Sequence, residues 1–127
     1  MIHQFQKHYT RDEARALLPQ IRQWLADTKR LRRALEKRER RLEGLSGTGA
    51  DLGGEVVDSW VRTLAELNEV FRQFQQREIQ IKDLDRGLLD FPAVLDGKEV
   101  FLCWEDGEED IEYWHDLDTG YAGRERL

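Results

Sequence analysis

The chain has 127 residues, of which 36% are charged and 39% are hydrophobic, and its net charge is −6. This length suits a single domain, and the longest apolar run, Val100 to Trp104, is far too short to cross a membrane. The single cysteine, Cys103, excludes an internal disulfide framework and is typical of a reducing compartment, so we expect a cytoplasmic protein.

The charge is divided unevenly along the chain. Residues 1–49 hold 12 basic and 6 acidic side chains, whereas residues 50–127 hold 8 basic and 20 acidic ones. The basic face from Lys29 to Arg41 could bind nucleic acid, with an affinity that falls steeply as salt rises. The acidic half would repel a phosphate backbone. We therefore expect the basic helix to lie beside acidic segments of its own or a sister chain, and nucleic acid is not an expected partner.

The first predicted element is a helix that begins at Arg11. Residues 10–13, Thr-Arg-Asp-Glu, have the pattern of a capping box, in which the Thr10 hydroxyl and the Glu13 carboxylate each accept from the other residue's amide. Pro19 lies about two turns further on. Because proline removes a backbone hydrogen bond, we expect it to kink the helix or to displace its first turns.

Two segments carry apolar residues in alternating steps of three and four, the spacing of a coiled-coil seam. Between them, residues 44–54 hold five glycines and are predicted to form a flexible connection that cannot continue the helix. Residues 10–78 are therefore predicted to fold as a long antiparallel helical hairpin, resembling a coiled coil, whose second helix ends near Arg77. The expected association seam consists of Leu17, Ile21, Trp24, Leu31, Leu35, Trp60, Leu64, Leu67, Phe71 and Phe74.

From residue 79 the apolar pattern changes to period two, which is typical of strands. Pro92 belongs at an edge or a bulge, and Asp96-Gly97 is a strong signal for a two-residue hairpin turn. Residues 79–127 are therefore predicted to form a three- to four-stranded antiparallel meander and a turn-rich tail, which makes the single domain 1–127 an α+β fold. The predicted strands are Ile79–Lys82, Leu88–Leu95, Lys98–Trp104 and Ile111–His115.

Linked motifs run through the second half of the chain, at Lys82–Pro92, Val100–Trp104, Gly107-Glu108, Trp114–Asp116 and Gly120–Arg124. They resemble the bacterial domain-of-unknown-function family 2203, which also has a phenylalanine-threonine-acidic-alanine start and a basic coiled-coil helix. The resemblance covers nearly the whole chain and implies no established reaction, substrate or cofactor. Two positions depart from it: Glu78 stands where glycine is expected, and Glu105-Asp106 replaces a more basic or apolar pair.

Carboxylates of the predicted β-unit, together with one histidine, are the candidates for a metal site. Several short segments could bring them together, and this combination suits a divalent ion such as Mg²⁺, Mn²⁺ or Zn²⁺. The alternative is that the carboxylates pair with nearby cations or accept hydrogen bonds from turn amides. The candidate ligands are Asp83, Asp85, Asp90, His115 and Asp116.

Cys103 and His115 could suggest a thiol-imidazole pair for nucleophilic catalysis. A turn centred near Gly107 would place Cys103 opposite residue 111 or 112, and His115 would then lie about 10–13 Å away. We therefore expect no contact between them and predict that Cys103 is a small buried residue. The chain also has no serine-hydrolase, P-loop or dinucleotide-binding motif, so no catalytic residue is assigned.

Aromatic residues are concentrated near a basic side chain in the last quarter of the sequence. They could form a pocket or a surface for a ligand or a protein partner. The alternative is that they form the core, because a sheet this small must bury much of its aromatic surface. The candidates are Trp104, Trp114, Tyr121 and Arg124.

The sequence favours a non-enzymatic interaction or assembly protein. An isolated helix pair rarely buries enough surface to be stable, so the seam should pack on the β-unit, on a sister hairpin, or on both. We therefore predict a homodimer formed through the hairpin. The alternative is a small protein, which could be an enzyme, that binds a divalent metal or a ligand through the acidic and histidine cluster. No other cofactor and no membrane partner are expected.

Overall fold

The computed structural model describes residues 2–47 and 54–127. Within them, two helices precede a five-stranded antiparallel sheet, which confirms the predicted α+β class with a helical hairpin. The elements are α1 (Arg11–Gly47), α2 (Glu55–Gln76), β1 (Gln80–Asp83), β2 (Leu88–Leu95), β3 (Lys98–Glu105), β4 (Tyr113–Asp116) and β5 (Glu125–Arg126), with a 3₁₀ turn at Tyr121–Gly123. The chain forms two compact units, one from the residues up to Arg22 with Gln73–Leu127, the other from Gln23–Arg72. Neither described helix is long and apolar enough to cross a membrane.

The start of α1 follows the predicted capping box. The Glu13 amide donates to Thr10 Oγ1 at 3.1 Å, and the Thr10 amide donates to Glu13 Oε1 at 3.0 Å. The helix continues without a break through Pro19, so the expected displacement of its first turns is wrong. Pro19 lies on the exposed side of α1, where the Arg15 carbonyl that loses its helical partner can bond to water.

The end of α1 corrects the predicted glycine-rich connection. The helix extends to Gly47, although the sequence predicts a connection from residue 44. One glycine in a helix costs only about 1 kcal/mol relative to alanine, which is too little to end a long helix by itself. Residues 48–53 of the connection lie outside the described residues. α2 begins directly after Gly54, whose φ of 79° is one that glycine adopts without strain.

The unit Gln23–Arg72 contains the central part of the hairpin. Two polar residues also follow the three-four spacing of the first seam, and both are hydrogen-bonded inside the unit. Thr28 Oγ1 donates to the Trp24 carbonyl at 2.8 Å, and Arg38 donates to Ser59 Oγ. Among the predicted seam residues of this unit, Trp24, Leu31 and Leu67 are buried, and Leu35, Trp60, Leu64 and Phe71 are half-buried. In the other unit, Ile21 and Phe74 are buried and Leu17 is half-buried. Much of the seam is therefore already covered within one chain.

The sheet is a meander in which each strand pairs with the next one along the chain. Asp96 and Gly97 form the predicted two-residue turn, with φ angles of 49° and 78°. A type I′ turn requires positive φ at both positions. β5 pairs with β4 and is the one strand that the sequence does not predict.

Pro92 lies where β2 has a strand partner on one side only, as predicted. β1 pairs with β2 as far as Asp90, whereas Pro92 is opposite Phe101 of β3. On the other side, the Pro92 carbonyl accepts a hydrogen bond from the Tyr9 amide at 2.7 Å. The amide and carbonyl positions of a residue in an antiparallel strand point the same way. The missing amide of Pro92 therefore removes no bond to β3.

The N-terminal arm, residues 2–9, is held by two carboxylates. Glu78 accepts the amides of Gln6 at 2.9 Å and Lys7 at 2.7 Å, and Glu99 accepts those of Gln4 and Phe5. Glu78 has a φ of 57°, in the left-handed region that favours glycine. This conformation explains why glycine is expected before β1. The Glu78 side chain provides what glycine could not, two hydrogen bonds that hold the N-terminal arm.

Candidate functional site

The two faces of the sheet differ in chemistry, because successive residues of a strand point to opposite sides. The apolar face carries Leu89, Phe91, Leu102 and Trp104, all of which are buried. The polar face carries Asp90, Phe101, Cys103 and His115, which are buried as well. The candidate site is formed by the polar side chains of this second face.

Strand register brings Asp90, Cys103 and His115 together. Asp90 is opposite Cys103 in the β2–β3 pair, and Cys103 is opposite Tyr113 in the β3–β4 pair. His115 therefore lies two residues from the partner of Cys103 and on the same face. The expectation that Cys103 and His115 stay apart is wrong, because β4 begins at Tyr113 and the register is shifted from the one that a turn centred near Gly107 implies.

The three side chains meet inside the protein. His115 Nε2 lies 2.9 Å from Asp90 Oδ1, and the candidate donor atoms of Asp90, Cys103 and His115 all lie within 4.8 Å of one another. The Asp90 and His115 side chains are each 2% exposed, and Cys103 is fully buried. Neighbouring strands thus place a carboxylate, a thiol and an imidazole around one point.

The second ring nitrogen of His115 fixes the orientation of the imidazole. Nδ1 lies 2.7 Å from the Asp116 carbonyl oxygen, which can only accept, so Nδ1 carries a proton. Nε2 therefore faces Asp90, and a single proton lies between the two groups. Metal-binding histidines are oriented in the same way, by a hydrogen bond from the other ring nitrogen to a carbonyl or a carboxylate.

Burial controls the protonation of this cluster. It raises the pKa of Asp90, and the nearby His115 opposes the rise only in part. Burial, reinforced by the Asp90 carboxylate, raises the pKa of Cys103 to about 12, although Arg124 acts in the opposite direction. The thiol is therefore protonated at neutral pH and is not an activated nucleophile. The prediction that Cys103 is a small buried residue is confirmed.

Arg124 lies beside the thiol and is held on several sides. It donates to the two carboxylate oxygens of Glu108 at 3.2 and 2.7 Å. Its guanidinium lies 3.9 Å from the centre of the Tyr113 ring and 4.3 Å from that of Tyr121. One of its nitrogens is 3.9 Å from Cys103 Sγ. An ion pair and two aromatic rings thus fix a positive charge next to the cluster.

A cavity of about 310 Å³ adjoins the Asp90–His115 pair. Lys82 also lines it, and residues 117–121 form much of the remaining wall. Because one water occupies roughly 30 Å³ of liquid volume, the cavity can hold several waters or a small ligand.

The predicted metal ligands separate into two groups. Asp90 and His115 converge, whereas the other three are engaged elsewhere or lie at the surface. Asp83 accepts a turn amide at 3.1 Å, as the alternative interpretation expects. Asp116 follows His115, points to the opposite face and pairs with a lysine at 2.6 Å. Asp85 is exposed.

The candidate aromatic surface is also divided. Trp104 is buried in the apolar face, where its Nε1 donates to the Glu108 carbonyl at 2.9 Å, so it belongs to the core. Trp114 is half-buried, and Tyr121 is 37% exposed. Only Tyr121 and Arg124 of the four candidates lie beside the cluster on the polar face.

Cys103 is the member of the cluster that the metal prediction missed. The signal for it lies in the Asp96-Gly97 turn, because a two-residue turn fixes the register of both strands. Counting outward from that turn places Cys103 opposite Asp90, as the structure has it. His115 has no such signal, since the connection between β3 and β4 is longer and less regular.

Comparison with known proteins assigns the chain to a family without assigning an activity. No curated protein and no solved structure matches it. The family described as uncharacterized conserved protein (DUF2203) matches residues 7–127, which is nearly the whole chain, and the resemblance seen in the motifs is confirmed. The chain therefore belongs to domain-of-unknown-function family 2203.

Proposed function

We propose that this protein binds a zinc ion through Asp90, Cys103 and His115. The observation that supports the proposal is the convergence of the three donor atoms, within 4.8 Å of one another, on adjacent strands. Carboxylate, thiolate and imidazole are all zinc ligands. Three protein ligands with a fourth position left open are typical of zinc sites that bind water or a substrate.

The distances suit a tetrahedral ion after a small adjustment. Ligands that lie about 2.0–2.3 Å from zinc are about 3.3–3.7 Å apart around a tetrahedral centre. Asp90 Oδ1 and His115 Nε2 are 2.9 Å apart, so they need to separate by only a few tenths of an ångström once the proton between them leaves.

Zinc would also balance the charge of the buried cluster. Carboxylate and thiolate together carry two negative charges, which neutralise the ion. A buried charge is costly unless it is paired or binds a metal. The cytoplasmic, reducing location that the sequence predicts would keep Cys103 available as a thiol, and the adjoining cavity leaves space for a water or a small ligand in the fourth position.

A cobalt(II) titration of metal-free protein without a histidine tag tests the proposal. Cobalt accepts the same ligands as zinc, and its bond to a thiolate gives a near-ultraviolet absorption band. We expect a saturable band in the wild type that disappears in Cys103→Ser and persists in the matched control Asp85→Asn, which removes an exposed carboxylate. A wild-type protein without this band would contradict the proposal, whatever the variants do.

We infer a second role, self-association through the hairpin, from the outer surface of α2. Val61 is 50% exposed, and Trp60 and Leu64 are half-buried. Residues three and four apart lie on one side of a helix, so these side chains form an apolar strip. A second copy of the hairpin could cover the strip, which would give the homodimer that the sequence predicts.

Native mass spectrometry tests this second role. We expect a species of twice the 15.0 kDa chain mass, and we expect Val61→Glu to shift it to the monomer. Val94→Glu is the matched control, because Val94 is another exposed valine, 40% accessible, but lies in the sheet. A wild-type protein that stays monomeric at all concentrations would exclude the role.

A further inference from the structure

We propose that a second zinc site, independent of the one at Asp90, is formed by His3 and His8 of the N-terminal arm with Glu99 of β3. One donor atom from each residue lies within 4.8 Å of the other two. Two imidazoles and one carboxylate are a known set of zinc ligands. The ion would join the arm to the polar face of the sheet.

An ion would fit among the three side chains after a small adjustment, in which His8 and Glu99 move apart by about half an ångström. His8 Nε2 is 2.7 Å from Glu99 Oε2, which is a hydrogen-bond distance, and the rings of His3 and His8 are 4.9 Å apart. His3 Nδ1 is 3.7 Å from the same oxygen, which is too far for a hydrogen bond. It is close to the separation of about 3.3 Å that a tetrahedral zinc ion imposes on nitrogen and oxygen ligands.

The arm is already held in place by contacts that do not involve a metal. Glu99 accepts the amides of Gln4 at 2.7 Å and Phe5 at 3.1 Å, and the Phe5 ring packs 5.4 Å from that of Phe101. The Tyr9 hydroxyl donates to the Arg77 carbonyl at 2.7 Å. Because these contacts order the arm, binding an ion there costs little conformational entropy.

The ligand set favours zinc over magnesium or calcium, since imidazole nitrogens suit borderline ions and all-oxygen sets suit hard ones. The His3 side chain is 40% exposed, whereas those of His8 and Glu99 are 23% and 9% exposed. One side of the cluster is therefore open to solvent, and a water can complete the tetrahedron. The expected ligand is a free borderline divalent ion.

The two zinc sites are separate, although both lie on the polar face. Glu99 and Cys103 are four residues apart on β3, which is about 13 Å along a strand. Phe101 lies between them, with its ring 5.6 Å from that of His115. The chain has three histidines, two at one site and one at the other, so each site has its own spectroscopic reporter.

The test follows the ring carbon-proton NMR signals of His3, His8 and His115 while zinc is added to metal-free protein without a histidine tag. We expect the His3 and His8 signals to shift together and to saturate at one equivalent for this site, in the wild type and in Cys103→Ser. Loss of an outer-shell partner already costs metal sites about 10–100-fold in affinity. His3→Gln, which removes a ligand, should therefore weaken binding at least about tenfold.

Gln4→Ala is the matched control, since Gln4 contacts Glu99 through its backbone amide and that substitution removes no ligand. Its zinc affinity should equal that of the wild type. The proposal is overturned if only the His115 signal moves, a result that would leave the Asp90 site intact. It is also overturned if His3→Gln binds as tightly as Gln4→Ala, or if magnesium produces the same shifts as zinc.

Discussion

The two faces of the sheet are both buried, but they differ in what burial does for the protein. The apolar face, with Leu89, Leu102 and Trp104, removes hydrocarbon from water, which stabilises the fold by about 25 cal/mol for each Å². The polar face buries Asp90 and His115, and burying polar groups costs free energy unless they are fully bonded. Under the proposed function, the apolar face provides stability and the polar face provides the binding site.

Removing the largest side chain of the apolar face should have the largest effect on stability. Trp104→Ala leaves a cavity and removes the indole hydrogen bond to the Glu108 carbonyl, and we expect it to lower the free energy of unfolding by about 3–5 kcal/mol. Urea denaturation followed by circular dichroism measures the loss. Val94→Ala, at an exposed position, should cost less than about 1 kcal/mol. Equal losses of stability in the two variants would contradict the view that the apolar face stabilises the fold.

Changing the polar face should show that Asp90 and His115 stabilise each other but not the fold. His115→Leu leaves Asp90 buried without its partner and should cost about 3 kcal/mol. Replacing both residues by leucine should recover at least wild-type stability, because apolar replacements of buried ion pairs are often neutral or stabilising. Denaturation of the metal-free variants measures both. A double variant as unstable as the single one would mean that the polar face is structural.

Zinc should stabilise the protein through the polar face. In a protein with His3→Gln and His8→Gln, zinc at about 100 times its Kd should raise the free energy of unfolding by about 2.7 kcal/mol. Adding Cys103→Ser to the same protein should remove most of that gain, because a direct ligand is lost. Thermal unfolding with and without zinc measures the difference. An equal gain in both proteins would place the ion elsewhere.

Replacing Arg124, which lies beside the polar cluster, should lower the free energy of unfolding by a smaller amount. Arg124→Lys keeps the charge but loses the paired hydrogen bonds to Glu108 and the stacking on Tyr113. We expect a loss of about 1.5 kcal/mol, the usual contribution of a hydrogen bond to a charged group. Chemical denaturation measures it, and a loss above that of Trp104→Ala would contradict the ranking.

The smallest effect should appear in the pH dependence of the free energy of unfolding, through an ion pair near the start of α1. Arg15 donates to both oxygens of Asp110, at 2.7 and 3.0 Å, and this hydrogen bonding lowers the pKa of Asp110 below 3.8. A lowered pKa gives stability that is present above pH 3.8 and is lost as the pH falls further. The stability difference between wild type and Asp110→Asn should therefore shrink in acid. A stability difference that grew in acid would contradict the lowered pKa of Asp110 in the folded protein.

The parts of the fold that local chemistry determines could be predicted from the sequence. The capping box at Thr10 and the Asp96-Gly97 turn each depend on residues within a few positions, and both are confirmed. The end of α1 was harder to predict, because glycine disfavours a helix too weakly to stop one that is already formed. The register of β3 and β4 depends on a connection in which Ile111 is buried, and no turn rule specifies it.

The residues of the candidate site also divide into those that residue type identifies and those that depend on how distant segments pair. Asp90 and His115 could be selected by residue type, but Asp83 and Asp85 could not be rejected, because their placement depends on the turn after β1. The prediction that Cys103 lies apart from His115, and so cannot form a catalytic pair with it, depends on a register that the structure shifts. The pairing of Cys103 with Tyr113 is the one piece of register information that would add Cys103 to the cluster.

The most direct test of the zinc site on the polar face is X-ray absorption at the zinc edge. The sample is the protein with His3→Gln and His8→Gln, loaded with one equivalent of zinc. We predict one sulfur ligand at about 2.3 Å and the remaining nitrogen and oxygen ligands at about 2.0–2.2 Å. A zinc ion surrounded only by nitrogen and oxygen would contradict the assignment of Cys103, and with it the proposed function.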